Sequence, residues 1–200
     1  LTEAGVVAVK ADSPYKTIEE LVAAAKEKGN LKASTNGNKA SNHTAAQLLA
    51  KSAGFKYKAI PYGGTADQLL ALRQGGVDFT CAKVADVAKL VKGDKPELRV
   101  LAVFNTKRDP ELPNVPTLGE KGLYPEWYGS ARALVAPKGT KPEVIQYYVE
   151  AFKKTMQDPA VIEAHKKAGM ALDFKDNKEL GDLIKAQDKF ARDVVNDLYK

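Results

Sequence analysis

The chain has 200 residues, 44% hydrophobic and 28% charged, the make-up of a globular protein able to bury a core in one large or two small domains. Its 31 Lys and Arg against 25 Asp and Glu give a net charge of +6, but the two signs interleave along the chain as on a lysine-rich solvated surface. That pattern suits small anionic ligands and argues against a nucleic-acid partner, which would want a basic stripe with stacking aromatics.

No run of about 18 apolar residues occurs, so no membrane-spanning helix is expected. Leu1-Thr-Glu-Ala-Gly does not read as a signal peptide, and without an initiator Met the chain is expected to be processed or truncated. Cys81 stands alone, which excludes an intrachain disulfide and a cysteine zinc cluster; it reads as a small hydrophobe in a buried strand.

Taken in order, Gly5-Val-Val-Ala-Val-Lys10 predicts a strand. Thr17-Ile-Glu-Glu20 is a capping box opening a helix with Ile18, Leu21, Val22 and Ala25 on one face, ended by Gly29-Asn30. A short strand over 31–34 leads through a polar loop into a helix that Gly54 stops. A strand over 57–62 follows, then Gly63-Gly64-Thr65 and a helix bearing Ala66, Leu69, Leu70 and Arg73. Strands over 77–81 and 98–104 flank a short helix over 86–92. Residues 105–116 are a proline-bearing excursion, Thr117-Leu-Gly-Glu120 is a second capping box, and 127–137 are extended. Thr140 is read as the cap of a helix with Pro142 in its first turn, and Asp158-Pro159 starts another. A strand over 170–174 and a long helix from about Lys178 complete the chain. Residues 1–130 therefore read as an α/β unit with a mostly parallel sheet, and residues 131–200 as mainly helical.

The stretch Ala33-Ser-Thr-Asn-Gly-Asn-Lys-Ala-Ser-Asn-His-Thr44 says most about function. A strand runs into small and hydroxylated residues, then into a helix with Ser41 as its expected N-cap. Such a loop aims backbone N–H groups at one spot, where the helix start adds partial positive charge; it holds an anion without a dedicated arginine. It reads as half of a carboxylate site. In a parallel sheet, ligands bind beyond the carboxyl ends of the strands, and the loops 34–41, 62–65 (with Tyr62) and 81–86 occupy that position.

Enzyme signatures are thin, and no catalytic residue, cofactor or metal is assigned. Gly37-Asn-Lys39-Ala-Ser41 echoes the end of a phosphate loop but lacks its first glycine. No Gly-x-Ser-x-Gly elbow occurs, and neither His43 nor His165 has a metal-ligand companion at the usual spacing. His43 is either packed or capping, or touches a ligand. Lys39 either faces solvent or neutralises a second ligand carboxylate, and Arg132 is either a partly buried structural arginine or a ligand contact. Trp127 and Tyr128 pack or line a cleft. Asn42-His-Thr44 fits a glycosylation sequon, a pattern too short to carry weight.

In order and spacing, these segments resemble the substrate-binding proteins of tripartite tricarboxylate transporters, the Bug or TctC family. Ser34-Thr-Asn-Gly-Asn-Lys-Ala-Ser-Asn-His43 is similar to the family's Gly-Ser-Ser-Gly-x-Gly-Thr-Ser-x-His loop, Ile60-Pro-Tyr-Gly-Gly64 to its Val-Pro-Tyr-x-Gly segment, and Gly75-Gly-Val-Asp-Phe79 to its Gly-Gly-x-Val-Asp strand. Asp12-Ser-Pro-Tyr-Lys-Thr17, Leu112-Pro-Asn-Val-Pro-Thr117 and Ala136-Pro-Lys-Gly-Thr140 extend the likeness over nearly the whole chain. The resemblance implies a periplasmic binding protein of the type II class, a two-domain clamshell without catalytic activity. It implies capture of a small carboxylate and delivery to membrane transporter subunits or a sensor kinase. Thr35, Asn36 and Gly37 match one half of the family's pincer, with Ala40, Ser41 and His43 at its helix start.

Lys39 stands where the family usually has glycine, and Ala82 where it commonly has Asp. Both departures favour a more anionic or differently shaped ligand. The family's first domain normally begins well upstream, so 1–130 would be the second, ligand-clamping domain and 131–200 the C-terminal part of the first. The apolar stripes of 141–200 are then expected to drive self-association or to be covered by another segment. A LysR-type effector-sensing domain and a transferase on a similar scaffold are the competing readings; the first wants a helix-turn-helix, the second paired acids or a cofactor loop.

Overall fold

The computed structural model describes residues 2–168, 170 and 172–199. They divide into two compact units, residues 4–130 and residues 131–200 together with the first three. The larger unit holds all but the first two residues of β1 (Thr2–Lys10), then α1 (Ile18–Lys28), β2 (Lys32–Thr35), α2 (Ser41–Ala53), β3 (Lys58–Pro61), α3 (Thr65–Arg73), β4 (Phe79–Lys83), α4 (Val84–Val87) and β5 (Leu98–Phe104), and ends within β6 (Gly129–Ala131).

The sheet runs β3-β2-β4-β1-β5, with β6 also paired to β1. β2 is parallel to β3 and to β4, whereas β1 is antiparallel to β4 and to β5. β2, β3, β4 and β5 therefore share one direction, and β1 is inserted against it. The expected mostly parallel sheet is a mixed one, because the chain's first strand enters between β4 and β5 rather than at an edge. The run Ala4 to Val9 reads continuously apolar for this reason: it is a central strand, buried on both faces. β3 lies at an edge, half-exposed, and tolerates Pro61 at its end.

Local chemistry explains the helices. Thr17 Oγ1 accepts the Glu20 amide (3.2 Å) and Glu20 Oε2 accepts the Thr17 amide (3.2 Å), so α1 starts on a true capping box. Its inward face is Ile18, Leu21, Val22 and Ala25, and Gly29 closes it at φ 66°. α2 buries Ala45, Leu48, Leu49 and Ala53 and ends on Gly54 at φ 70°. In α3 the buried residues are Gln68, Leu69, Ala71 and Leu72, while Leu70 is 45% exposed. The short helix expected over 86–92 begins earlier, at Val84, where Asp86 accepts the Lys83 amide (3.0 Å).

The smaller unit carries α5 (Pro142–Thr155), α6 (Pro159–Lys167), α7 (Asn177–Phe190), a π-helical turn (Ala191–Val195) and α8 (Asn196–Leu198). Asp158 and Asp176 cap α6 and α7 through their side chains. Thr140 does not cap α5: its hydroxyl donates back to the Pro137 carbonyl (2.8 Å), and Lys141 stands at the cap. The strand expected over 170–174 includes Ala171, outside the described residues, and residues 172–174 form no strand. None of α5, α6 or α7 buries a residue, and Tyr147, Tyr148, Phe152, Ile162 and Ile184 stay exposed. No described helix is long and apolar enough to cross a membrane.

Candidate ligand-binding site

The carboxyl ends of β2, β3 and β4 open on the same edge of the sheet, and the polar loop after β2 is built there. The Thr35 carbonyl accepts the Tyr62 amide (2.9 Å), which ties the exit of β3 to the exit of β2. The chain then turns through Gly37 at φ 129° and Lys39 at φ 58°. Lys39 is the one non-glycine with positive φ among the described residues, so the backbone adopts here the left-handed form that glycine takes freely. The Lys39 amide donates to His43 Nδ1 (2.9 Å), and the Gly37 carbonyl accepts the Ala40 amide (3.4 Å) and the Thr35 hydroxyl (3.3 Å).

Ser41 is not the N-cap. Ala40 holds that position with extended backbone and no side-chain bond, and Ser41 is the first helical residue. Capping comes from across the loop instead, where Asn36 Oδ1 accepts the Asn42 amide (3.2 Å). No described hydrogen bond uses the amides of Gly37, Asn38 or Ser41. These three donors lie in the loop before, and at the first residue of, a helix of 13 residues, and a helix start of this kind can hold an anion. His43 is buried, and that burial pulls its pKa below the ordinary value. Because Nδ1 accepts from Lys39, the neutral ring carries its proton on Nε2.

Beneath the first turn of α2 lies a buried polar chain. Lys83, 5% exposed at the end of β4, donates its Nζ to Asn42 Oδ1 (2.6 Å) and to Ser41 Oγ (3.4 Å). Asn42 Nδ2 donates to Gln68 Oε1 (2.9 Å), and Gln68 Nε2 donates to the Cys81 carbonyl (2.6 Å) and to Thr80 Oγ1 (2.5 Å). The Thr80 hydroxyl accepts from Ser34 Oγ (3.0 Å) and donates to the Ser34 carbonyl (2.9 Å). From above, the Tyr128 hydroxyl donates to the Ser41 carbonyl (3.1 Å). The loop is therefore held by β2, β4, α3 and the segment before β6 together. Cys81 is fully buried, its pKa pushed up to about 12 by desolvation, and is inert.

Thr35, Asn36, Gly37, Lys39, Ala40, Ser41 and His43 come together in this loop, with Tyr62 beside it. Ala82 does not belong with them. It is fully buried among Val6, Leu69, Leu72 and Val87, facing the opposite side of β4 from Lys83. Arg132 lies in the smaller unit, where its guanidinium pairs with Glu3. Tyr128 is buried, and Trp127 packs against the core cluster, so the aromatic pair is structural. Asn42 is 1% exposed with its Nδ2 engaged, which leaves the sequon without an accessible acceptor. Sequence reasoning missed Lys83, Asn42 and Gln68 as supports of the site. A lysine closing the otherwise apolar run Phe79-Thr-Cys-Ala-Lys83 was the available signal. No metal-binding cluster of His, Cys, Asp or Glu occurs among the described residues.

Residues 1–198 match the family described as the tripartite tricarboxylate transporter family receptor, TctC. The chain is 38% identical over 152 residues to the UPF0065 protein in the gbd 5′ region of Cupriavidus necator, covering 76% of this chain and 45% of that protein. A TctC solute-binding protein from Polaromonas superposes with a TM-score of 0.85 at 27% identity, covering 98% of this chain and 67% of the other. R. palustris Rpa4515, solved with adipate, has the same fold, with a TM-score of 0.78 at 21% identity over 96% of this chain and 65% of that one. The chain spans about half the length of the curated relatives it matches.

Proposed function

The chain belongs to the tripartite tricarboxylate transporter receptor family, and from that premise we propose that its α/β unit is a clamping domain of an extracytoplasmic solute-binding protein that captures a small carboxylate. Residues 4–130 are on this reading the second domain of a clamshell, and residues 131–200 the C-terminal part of the first. The observation that carries the proposal is the loop 36–41, which offers the amides of Gly37, Asn38 and Ser41 at the start of α2. The structure of Rpa4515 with adipate supports a carboxylate as the class to test first. The bound ligand would pass in the periplasm to transporter subunits or a sensor kinase, and the protein itself would catalyse nothing. The exposed apolar faces of α5, α6 and α7 would serve association; a monodisperse monomer in sedimentation velocity would contradict that part.

A thermal-shift screen against mono-, di- and tricarboxylates, with neutral sugars as controls, tests the main reading. A ligand that binds only the folded state raises the melting temperature with dose. A shift for one carboxylate class and none for sugars supports the proposal. Shifts for sugars alone, or for no carboxylate, overturn it for this chain.

A further inference from the structure

We propose that Asn36 is a self-modification site: the folded loop promotes loss of ammonia from its carboxamide, and the aspartate or isoaspartate left behind weakens carboxylate binding, a consequence that rests on the carboxylate reading above. Asn36-Gly37 is the one Asn-Gly pair in the chain. Glycine has no Cβ to keep its amide nitrogen away from the preceding side chain, and its backbone turns freely. Gly37 stands at φ 129° outside any strand or helix, and a Cβ placed on it would meet only the Ala40 Cβ, at 3.6 Å. Its amide enters no described hydrogen bond, and neither does Asn36 Nδ2. Both residues are half-buried, so water reaches them. The attacking nitrogen and the leaving nitrogen are thus both unheld.

The Gly37 nitrogen gives its proton to hydroxide and bonds to Asn36 Cγ. The Cγ–Nδ2 bond breaks, and Nδ2 leaves as ammonia after taking a proton from water, which restores the hydroxide. Water then opens the succinimide: cleavage of the new Cγ–N bond gives aspartate, and cleavage of the original peptide bond gives isoaspartate. One water is consumed and one ammonia released, with nothing oxidised or reduced. The fold favours the first step. Asn36 Oδ1 already accepts the Asn42 amide (3.2 Å) in the first turn of α2, so a donor and the positive end of the helix face the oxygen that turns negative when Cγ is attacked. The same field favours ionisation of the Gly37 amide. Asn38 lacks this arrangement, because the Lys39 amide that would attack it is committed to His43 Nδ1 (2.9 Å). Asn42 is 1% exposed, its Nδ2 held by Gln68. The product is a fixed negative charge in the loop that carries the unused amides. A carboxylate suits the start of a helix, so stability is kept while the ligand meets a like charge.

The experiment incubates the full chain, folded and in guanidinium chloride, in mildly alkaline buffer. It follows ammonia release and peptide mass maps that separate aspartate from isoaspartate. The expected result is conversion at Asn36 at least as fast in the folded chain as in the unfolded one, and about tenfold or more faster than at any other asparagine of the folded chain. Slower conversion in the fold, or a different first site, overturns the proposal. Asn36→Ser is expected to abolish the early ammonia, and release that persists in it overturns the assignment. Calorimetry with succinate and butyrate then compares wild type with Asn36→Asp, the direct product. The expected Kd is about tenfold higher in Asn36→Asp, at an unchanged or raised melting temperature. A Kd within about twofold of wild type overturns the binding consequence. So does a melting temperature that falls along with affinity, which marks the loss as structural. If wild type binds neither acid, the carboxylate reading falls and takes the binding consequence with it, while the mass maps still decide the modification.

Discussion

Lys39 holds a left-handed backbone, φ 58°, while its amide donates to His43 Nδ1 four residues on, at 2.9 Å. The strained residue and its tether lie together in the loop that carries the unused amides, and strain of this kind persists where the surroundings over-determine it. A left-handed lysine costs about 1–2 kcal/mol that glycine avoids, partly offset by glycine's larger loss of chain entropy. Lys39→Gly is therefore expected to leave stability unchanged or raise it by up to about 1 kcal/mol, and Lys39→Val to lower it by at least about 1 kcal/mol. Urea unfolding followed through Trp127, the one tryptophan of the chain, reads this out. A Val variant as stable as wild type would refute the argument.

The same tether makes the loop sensitive to pH. Burial lowers the His43 pKa in the fold, while the unfolded chain keeps a value of about 6.5. Above that value neither state binds the proton, and the contribution of His43 to stability is complete. Below it the unfolded chain protonates first, so stability falls from about pH 6.5 down through the lowered folded pKa. Protonation also removes Nδ1 as the acceptor of the Lys39 amide. Melting temperatures between pH 7.5 and 5 are expected to drop more steeply for wild type than for His43→Gln. Parallel curves would remove His43 from the account.

The elements with strong local chemistry were legible before any coordinates. The Thr17–Glu20 box, the buried face of α1, the glycine stops of α1 and α2 and the β2–loop–α2 unit all follow from nearest-neighbour rules, and the structure reproduces them. What escaped depends on partners distant in sequence. Ser41 reads as a cap, but Asn36 reaches across the loop and takes that role, leaving Ser41 to meet Lys83 from β4. The reversal of β1 is invisible locally, since a central strand has the same apolar run in either direction. Ala82 and Lys83 are adjacent, yet the pleat sends one into the core and the other under α2, and only the register against Gly5 and Val6 tells which.

Gln68 is the joint of the buried chain. It bridges Asn42 of α2 to Thr80 and Cys81 of β4 while fully buried. Gln68→Met fills the same space but strands the Asn42 Nδ2 and the Cys81 carbonyl without their partner. Buried groups left so are expensive, and the variant is expected to be less stable by about 2 kcal/mol or more. It should also weaken carboxylate binding, because Asn42 no longer holds the start of α2. A variant within about 0.5 kcal/mol of wild type in urea titration would show that the network contributes little.

Arg132 is the candidate contact that belongs to the smaller compact unit. Its guanidinium, 59% exposed, pairs with Glu3, whose side chain is 4% exposed and whose Oε1 has no hydrogen bond among the described residues. Removing the arginine leaves a buried carboxylate with less support. A pair buried at both ends would lose about 3–5 kcal/mol, but one end of this pair lies in water, so Arg132→Met is expected to lose about 1 kcal/mol. Glu3→Gln in the Arg132→Met background should recover part of that loss, since the neutral amide no longer needs a cation. On this account the carboxylate Kd of Arg132→Met stays within about twofold of wild type. A loss of about tenfold or more, about 1.4 kcal/mol, with stability unchanged, would return Arg132 to the ligand-binding set.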